Sequence, residues 1–86
     1  MPEISRFLGI VIAMYYSDHA PPHFHVRYAK YRASFALDPL RVLDGRVPPR
    51  VLGLVVEWAS LHGPELHEDW DLAARAVPLN RIAPLE

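Results

Sequence analysis

The sequence predicts an α+β domain: a three- to four-stranded antiparallel sheet followed by two C-terminal helices packed on one face of it. Three observations carry this prediction. Residues 4–46 hold β-branched and aromatic runs with strand-like patterning; residues 51–77 repeat apolar side chains at helical spacing; prolines and glycines punctuate the boundaries. In a chain of 86 residues a second domain would be too small to bury its own core, so residues 1–86 are expected to form one unit.

The opening "ISRFLGIVIAMYYSD" is apolar at both parities, with Phe7, Gly9, Val11, Ala13 and Tyr15 on one side and Leu8, Ile10, Ile12, Met14 and Tyr16 on the other. As one strand it should be covered on both faces. Two helices cover only one face of a sheet, so either the sheet curls around itself or, the preferred reading, a companion chain or a second copy covers the other face. "SDHAPP" follows as a turn, its prolines withholding ladder donors. Phe24, Val26 and Tyr28 then alternate with His23, His25 and Arg27, the signature of a half-buried strand. "YRASFAL" reads as the next strand, reached through a tight turn at Ala29-Lys30. "LRVL" is a short strand-like segment between turn signals at Asp38-Pro39 and Asp44-Gly45.

Pro48 and Pro49 suit the first turn of a helix, where a missing amide donor costs nothing. Val51, Leu54, Val55, Trp58 and Leu61 continue it at helical spacing. Gly63 can close that helix and Pro64 can open a second, whose apolar face is Leu66, Trp70, Ala73 and Val77. Glu65, Glu68, Asp69 and Asp71 are expected on its opposite, solvent-facing side. The two tryptophans sit at core spacing and are read as packing. The tail "LNRIAPLE" suits a final extended segment.

Composition narrows the function classes. With no cysteine, disulfide frameworks, thiol nucleophiles and cysteine zinc sites are excluded, and a reducing cytoplasm is the expected location. The longest apolar run, Phe7 to Tyr16, is too short to span a bilayer, and no signal-peptide pattern is present. The four glycines are isolated and no serine sits in a G-x-S-x-G context, which excludes a P-loop and a nucleophile elbow. The net charge of −1 conceals a segregation: residues 27–50 carry six basic against two acidic side chains, and residues 51–86 the reverse. A basic half of this kind can meet phosphates even in a nearly neutral protein, or it can complement the acidic half within the fold.

The densest chemistry is "DHAPPHFHVRY", Asp18 to Tyr28. His23 and His25 lie two apart on a strand and project from one face, with side-chain origins about 6–7 Å apart. Two such imidazoles suit one divalent ion such as Zn, and His19 or Asp18, returning through the turn, would supply a third ligand. The same imidazoles also suit metal-independent RNA cleavage, His23 or His25 acting as base or acid. Arg27, Lys30 and Arg32 would then hold phosphate, beside Tyr28 and Tyr31 for stacking. The structural alternative is a turn fixed by Pro21-Pro22, with Asp18 and the histidines bonding backbone groups. Direct recognition of a partner by these side chains is a fourth.

The segments "ISRFLGIVIAMYYSDHAPPHFHVRY", "LRVLDGRVPPR", "VLGLVVEWASLH" and "PLNRIAPL" resemble the small bacterial domain-of-unknown-function family 4160, with "DHAPPHFHV" the most specific part. One departure is Gly63-Pro64, where relatives continue a helix with charged residues. The resemblance implies one half of a two-gene unit. Its companion would be a short protein of domain-of-unknown-function family 2442, in a pair of toxin–antitoxin type. On that basis two functions are expected as alternatives. The chain is a toxin acting on RNA through His23 and His25, without cofactor. Or it is a non-enzymatic antitoxin or scaffold binding its companion, with a divalent metal on His19, His23 and His25.

Overall fold

The computed structural model describes residues 2–86. Five strands form an antiparallel meander in the order β1-β2-β3-β4-β5: β1 Glu3–Phe7, β2 Ile10–Ala13, β3 His23–Tyr28, β4 Tyr31–Leu37 and β5 Leu40–Arg46. Two helices follow, α1 Pro49–Leu61 and α2 Gly63–Ala74. The α+β class and the helix pair are as the sequence predicts, with one strand more.

The extra strand comes from the opening segment, which is a hairpin and not one strand. Phe7 pairs with Ile10, so only Leu8 and Gly9 make the turn. Both take positive φ, 52° and 81°, as a two-residue hairpin of the right twist requires. The apolar pattern at both parities therefore belongs to two strands. Val11 and Ala13, on the side away from the helices, are themselves buried within the chain. A second chain is not required to cover them.

Phe24, Val26, Phe35, Ile10 and Ile12 face the helices and make the core with Val51, Val55 and Trp58. Trp58 is fully buried, its ring against Phe7 and Phe24, and its indole N–H donates to the Ala83 carbonyl at 2.9 Å. That bond satisfies the polar end of an otherwise apolar side chain and ties the tail to the core. The tail is held again by the Ile82 N–H to the Ile4 carbonyl, which seats Ile82 in the core. Leu61, expected on the buried face of α1, is 64% exposed, because the helix ends there and the chain turns through His62 into α2.

Asp69 also departs from the sequence pattern. Expected on the solvent side, it is fully buried, and its Oδ1 accepts the Asn80 N–H at 2.8 Å. The tail folding back over α2 covers it. Burial pushes its carboxyl above the ordinary value, against the lowering pull of the Asn80 bond, with Glu68 and Glu65 adding to the rise. Among the described residues, no helix is long and apolar enough to cross a membrane.

Candidate functional site

Alternation places His25 and Arg27 of β3, and Arg32 and Ser34 of β4, on the sheet face turned away from the helices. The two-residue turn at Ala29-Lys30 fixes their register: Tyr28 opposes Tyr31, Arg27 opposes Arg32, and His25 opposes Ser34. Across the next pair, Arg46 of β5 opposes Arg32 and Asp44 opposes Ser34. The rungs thus run Ala13–His25–Ser34–Asp44 and Val11–Arg27–Arg32–Arg46.

Two features of β5 set the second rung. A register shift lets Val42 oppose Phe35 while Asp44 opposes Ser34, with Leu43 bulged between them. Gly45, at φ +73°, then lies against the Arg32 backbone so closely that any Cβ would overlap the Arg32 carbonyl oxygen. A concavity of about 250 Å³ lies over these rungs, lined by Val11, Tyr15, His25, Arg27, Arg32 and Asp44 among others.

Arg27 opposes Arg32 directly, a placement that is unfavourable for like charges. Among the described residues, no carboxylate lies within ion-pair distance of Arg27, Arg32 or Arg46. The Arg46 guanidinium lies over the Tyr31 ring at 5.6 Å, and Lys30 approaches the same ring at 5.8 Å. Lys30 lies in the β3–β4 turn and does not line the concavity.

The histidines gather at the opposite end of β3, where the 14–22 loop returns. The loop is pinned by the Ser17 N–H to the Ala73 carbonyl at the end of α2. This brings Asp18 against the strand: its Oδ2 is 2.9 Å from His23 Nε2 and 3.1 Å from His25 Nε2. Asp18 Oδ1 accepts the His19 N–H at 2.9 Å and faces the His19 ring at 3.0 Å. His23 Nδ1 lies 2.6 Å from the Pro21 carbonyl oxygen. Trp70 of α2 packs beside the His23 ring at 5.2 Å, and Tyr15 meets the His25 ring edge-on at 4.3 Å. Burial raises the Asp18 carboxyl pKa, but the His25 bond, the His19 backbone N–H and the neighbouring imidazoles outweigh it and hold the group below its ordinary value.

Three atoms that can ligate a metal, from Asp18, His23 and His25, lie within 4.8 Å of one another. Of the histidines considered as ligands from the sequence, His23 and His25 join this group. His19 does not: its side chain is 87% exposed and reaches only the far oxygen of Asp18. His62 bonds Glu65 and His67 bonds the Gly63 carbonyl, both apart from the cluster. Tyr15, Ser34, Asp44 and Arg46 were not singled out from the sequence. Ser34 follows from counting back from the Ala29-Lys30 turn, whereas Asp44 and Arg46 depend on the bulge.

Fold and site together define a small α+β domain with an arginine rung on its open sheet face and an imidazole–carboxylate cluster at one end of it. The chain belongs to the family described as Domain of unknown function (DUF4160), whose profile matches residues 9–71, from the first hairpin turn into α2. No curated protein and no solved structure matches it.

Proposed function

We propose that this protein is the RNA-directed component of a two-protein module of toxin–antitoxin type. It would bind the phosphodiester backbone across the open sheet face and present the Asp18–His23–His25 cluster to it. One observation carries this: Arg27 and Arg32 stand directly opposite each other on the rung beside His25, with no carboxylate paired to either among the described residues. Two opposed guanidiniums repel, and a phosphate between them turns that repulsion into two charge-assisted contacts. A phosphate held there lies one rung from the His25 imidazole, within reach of chemistry. Lys30, in the turn at the end of this face, adds charge, while Tyr31 alternates onto the opposite face with Tyr28. Membership of a module, and a companion of the family 2442 type, rest on the family resemblance.

The test is binding of a short, labelled single-stranded RNA, followed by fluorescence anisotropy across a salt series. Each lost phosphate site should lower the slope of log K against log salt by about 0.7, so Arg27→Gln/Arg32→Gln, which empties the one site the two share, should lower it by about 0.7. His67→Ala, on α2 apart from the cluster and the concavity, should bind RNA as the wild type does. A wild type that does not bind at low salt, or a double variant with an unchanged slope, refutes the proposal. Growth after induction of the chain alone, beside its His23→Ala/His25→Ala variant, then separates an acting toxin from a neutralising partner.

A further inference from the structure

The Asp18–His23–His25 cluster turns three potential metal-donor atoms toward one another. The Pro21 carbonyl can only accept, so His23 Nδ1, 2.6 Å away, carries a proton. His23 Nε2 then faces Asp18 Oδ2 at 2.9 Å, and His25 Nε2 faces the same oxygen at 3.1 Å. His23 is packed between Trp70 and the His25 ring, so its Nε2 is held in place facing Asp18. The three donor atoms converge on one point, where a divalent cation fits as well as a proton does. The cation takes both Nε2 lone pairs and the carboxylate oxygen at once.

The surroundings match those of a metal ligand set. A ligating histidine ordinarily donates its other ring N–H to a carbonyl, which fixes tautomer and ring orientation; His23 does so to Pro21. The non-ligating oxygen of Asp18 is held by the His19 N–H, so the carboxylate is oriented as well. Tyr15 packs on the edge of the His25 ring. Tetrahedral ligands at zinc distances sit about 3.4 Å apart. The 2.9 and 3.1 Å contacts open by up to about half an ångström to reach that spacing, and the two Nε2 atoms, within 4.8 Å of each other, draw toward it.

We propose that Asp18 Oδ2, His23 Nε2 and His25 Nε2 hold one divalent transition-metal ion of the zinc class, with a fourth position for a water or a phosphate oxygen. Two imidazoles, one carboxylate and an exchangeable position are the donor set of a catalytic rather than a structural site. Only the phosphate as fourth ligand rests on the RNA reading above. His25 connects the two, since it belongs to the cluster and also lines the concavity with Arg27 and Arg32. The metal would act there as a Lewis acid on the phosphate that the arginines position.

The test is calorimetric titration of the chelator-treated full chain with zinc chloride, in the absence of RNA and phosphate. We expect one equivalent bound at micromolar affinity or tighter, and a melting temperature raised by several degrees in zinc. Asp18→Asn and His25→Ala should each weaken binding on the order of 100-fold and abolish the thermal shift. His19→Ala should stay within tenfold of the wild type, since that ring reaches only the far oxygen of Asp18. Arg27→Gln/Arg32→Gln should bind zinc normally while losing RNA, so failure of the metal site and failure of the RNA reading are told apart. Circular dichroism of the metal-free variants confirms folding, and His25→Ala, at a partly exposed position, carries the test if Asp18→Asn does not fold. No zinc binding by the wild type overturns the proposal. Equal binding by the wild type and His25→Ala overturns it too, as does a loss in His19→Ala matching that in Asp18→Asn.

Discussion

Arg32→Gln should make this protein more stable and worse at its task. Arg32 sits in the middle of the arginine rung, opposed by Arg27 on β3 and by Arg46 on β5. Side-chain origins at such opposed positions are about 5 Å apart, and the flexible stems let the charges separate to about 7 Å. At that distance in water each like-charge pair costs about 0.6 kcal/mol before screening. Arg46 is drawn partly aside by its contact with Tyr31, and Asp44 across the concavity attracts Arg32. The net gain on removing the Arg32 charge is therefore about 0.5 kcal/mol at low salt. It should shrink to a few tenths at physiological ionic strength, where the screening length is about 8 Å. Urea denaturation at two ionic strengths measures the gain, and anisotropy with single-stranded RNA measures the accompanying loss of binding. A variant less stable than the wild type at both salts would show that Arg32 is held by interactions within the fold. Its place as a phosphate ligand would fall with that result.

Other consequences follow from single positions. Gly45→Ala should cost about 3 kcal/mol or more, since a Cβ there meets the Arg32 carbonyl and the Ala33 backbone, which cannot yield without parting β4 from β5. Gly9→Ala, at a similar positive φ but with only the Tyr28 ring at 3.4 Å, should cost about 1 kcal/mol; equal losses in urea denaturation would remove the close approach as the cause. Asp69 has a folded-state pKa raised by burial, so it holds its proton more tightly folded than unfolded, and its ionised form costs stability at neutral pH. Asp69→Asn, which keeps an acceptor for the Asn80 N–H, should be more stable than the wild type at pH 7. That advantage should disappear as the pH falls through the raised pKa. A stability difference independent of pH in paired melting curves would contradict this assignment.

The class of the fold was legible because long segments kept one period: β3 alternates cleanly from Phe24 to Tyr28, and α1 repeats Val51, Val55 and Trp58. The first hairpin was not legible, because its turn is Leu8-Gly9 and nothing in the composition of "RFLGIV" sets Leu8, at φ 52°, apart from a strand residue. That miss bears on the reasoning about a partner. A single double-faced strand calls for a curled sheet or a covering chain, whereas a hairpin calls for neither, so the expectation of a partner rests on the family resemblance. Asp69 was misplaced for a related reason: helical spacing assigns faces relative to one neighbour, and the tail that covers this face arrives from residues 79–82, outside the helix pattern.

The site shows how much a correctly placed turn reveals. Once Ala29-Lys30 closes the β3–β4 hairpin, Arg27 must oppose Arg32 and His25 must oppose Ser34, so the arginine pair and its distance from an imidazole follow by counting. The third member of the cluster does not follow. Asp18 and His19 are adjacent, and the path of the loop through Pro21 and Pro22 to the anchor at Ala73 decides which side chain turns inward. It turns the carboxylate in and leaves the imidazole at 87% exposure. The consequence is chemical as well as geometric. Three inward imidazoles would make a neutral ligand set that joins a basic face, whereas a carboxylate among two imidazoles offsets part of a divalent charge. In the proposed site, next to Arg27 and Arg32, that offset would let a metal and two guanidiniums share one phosphate without the like charges driving each other apart.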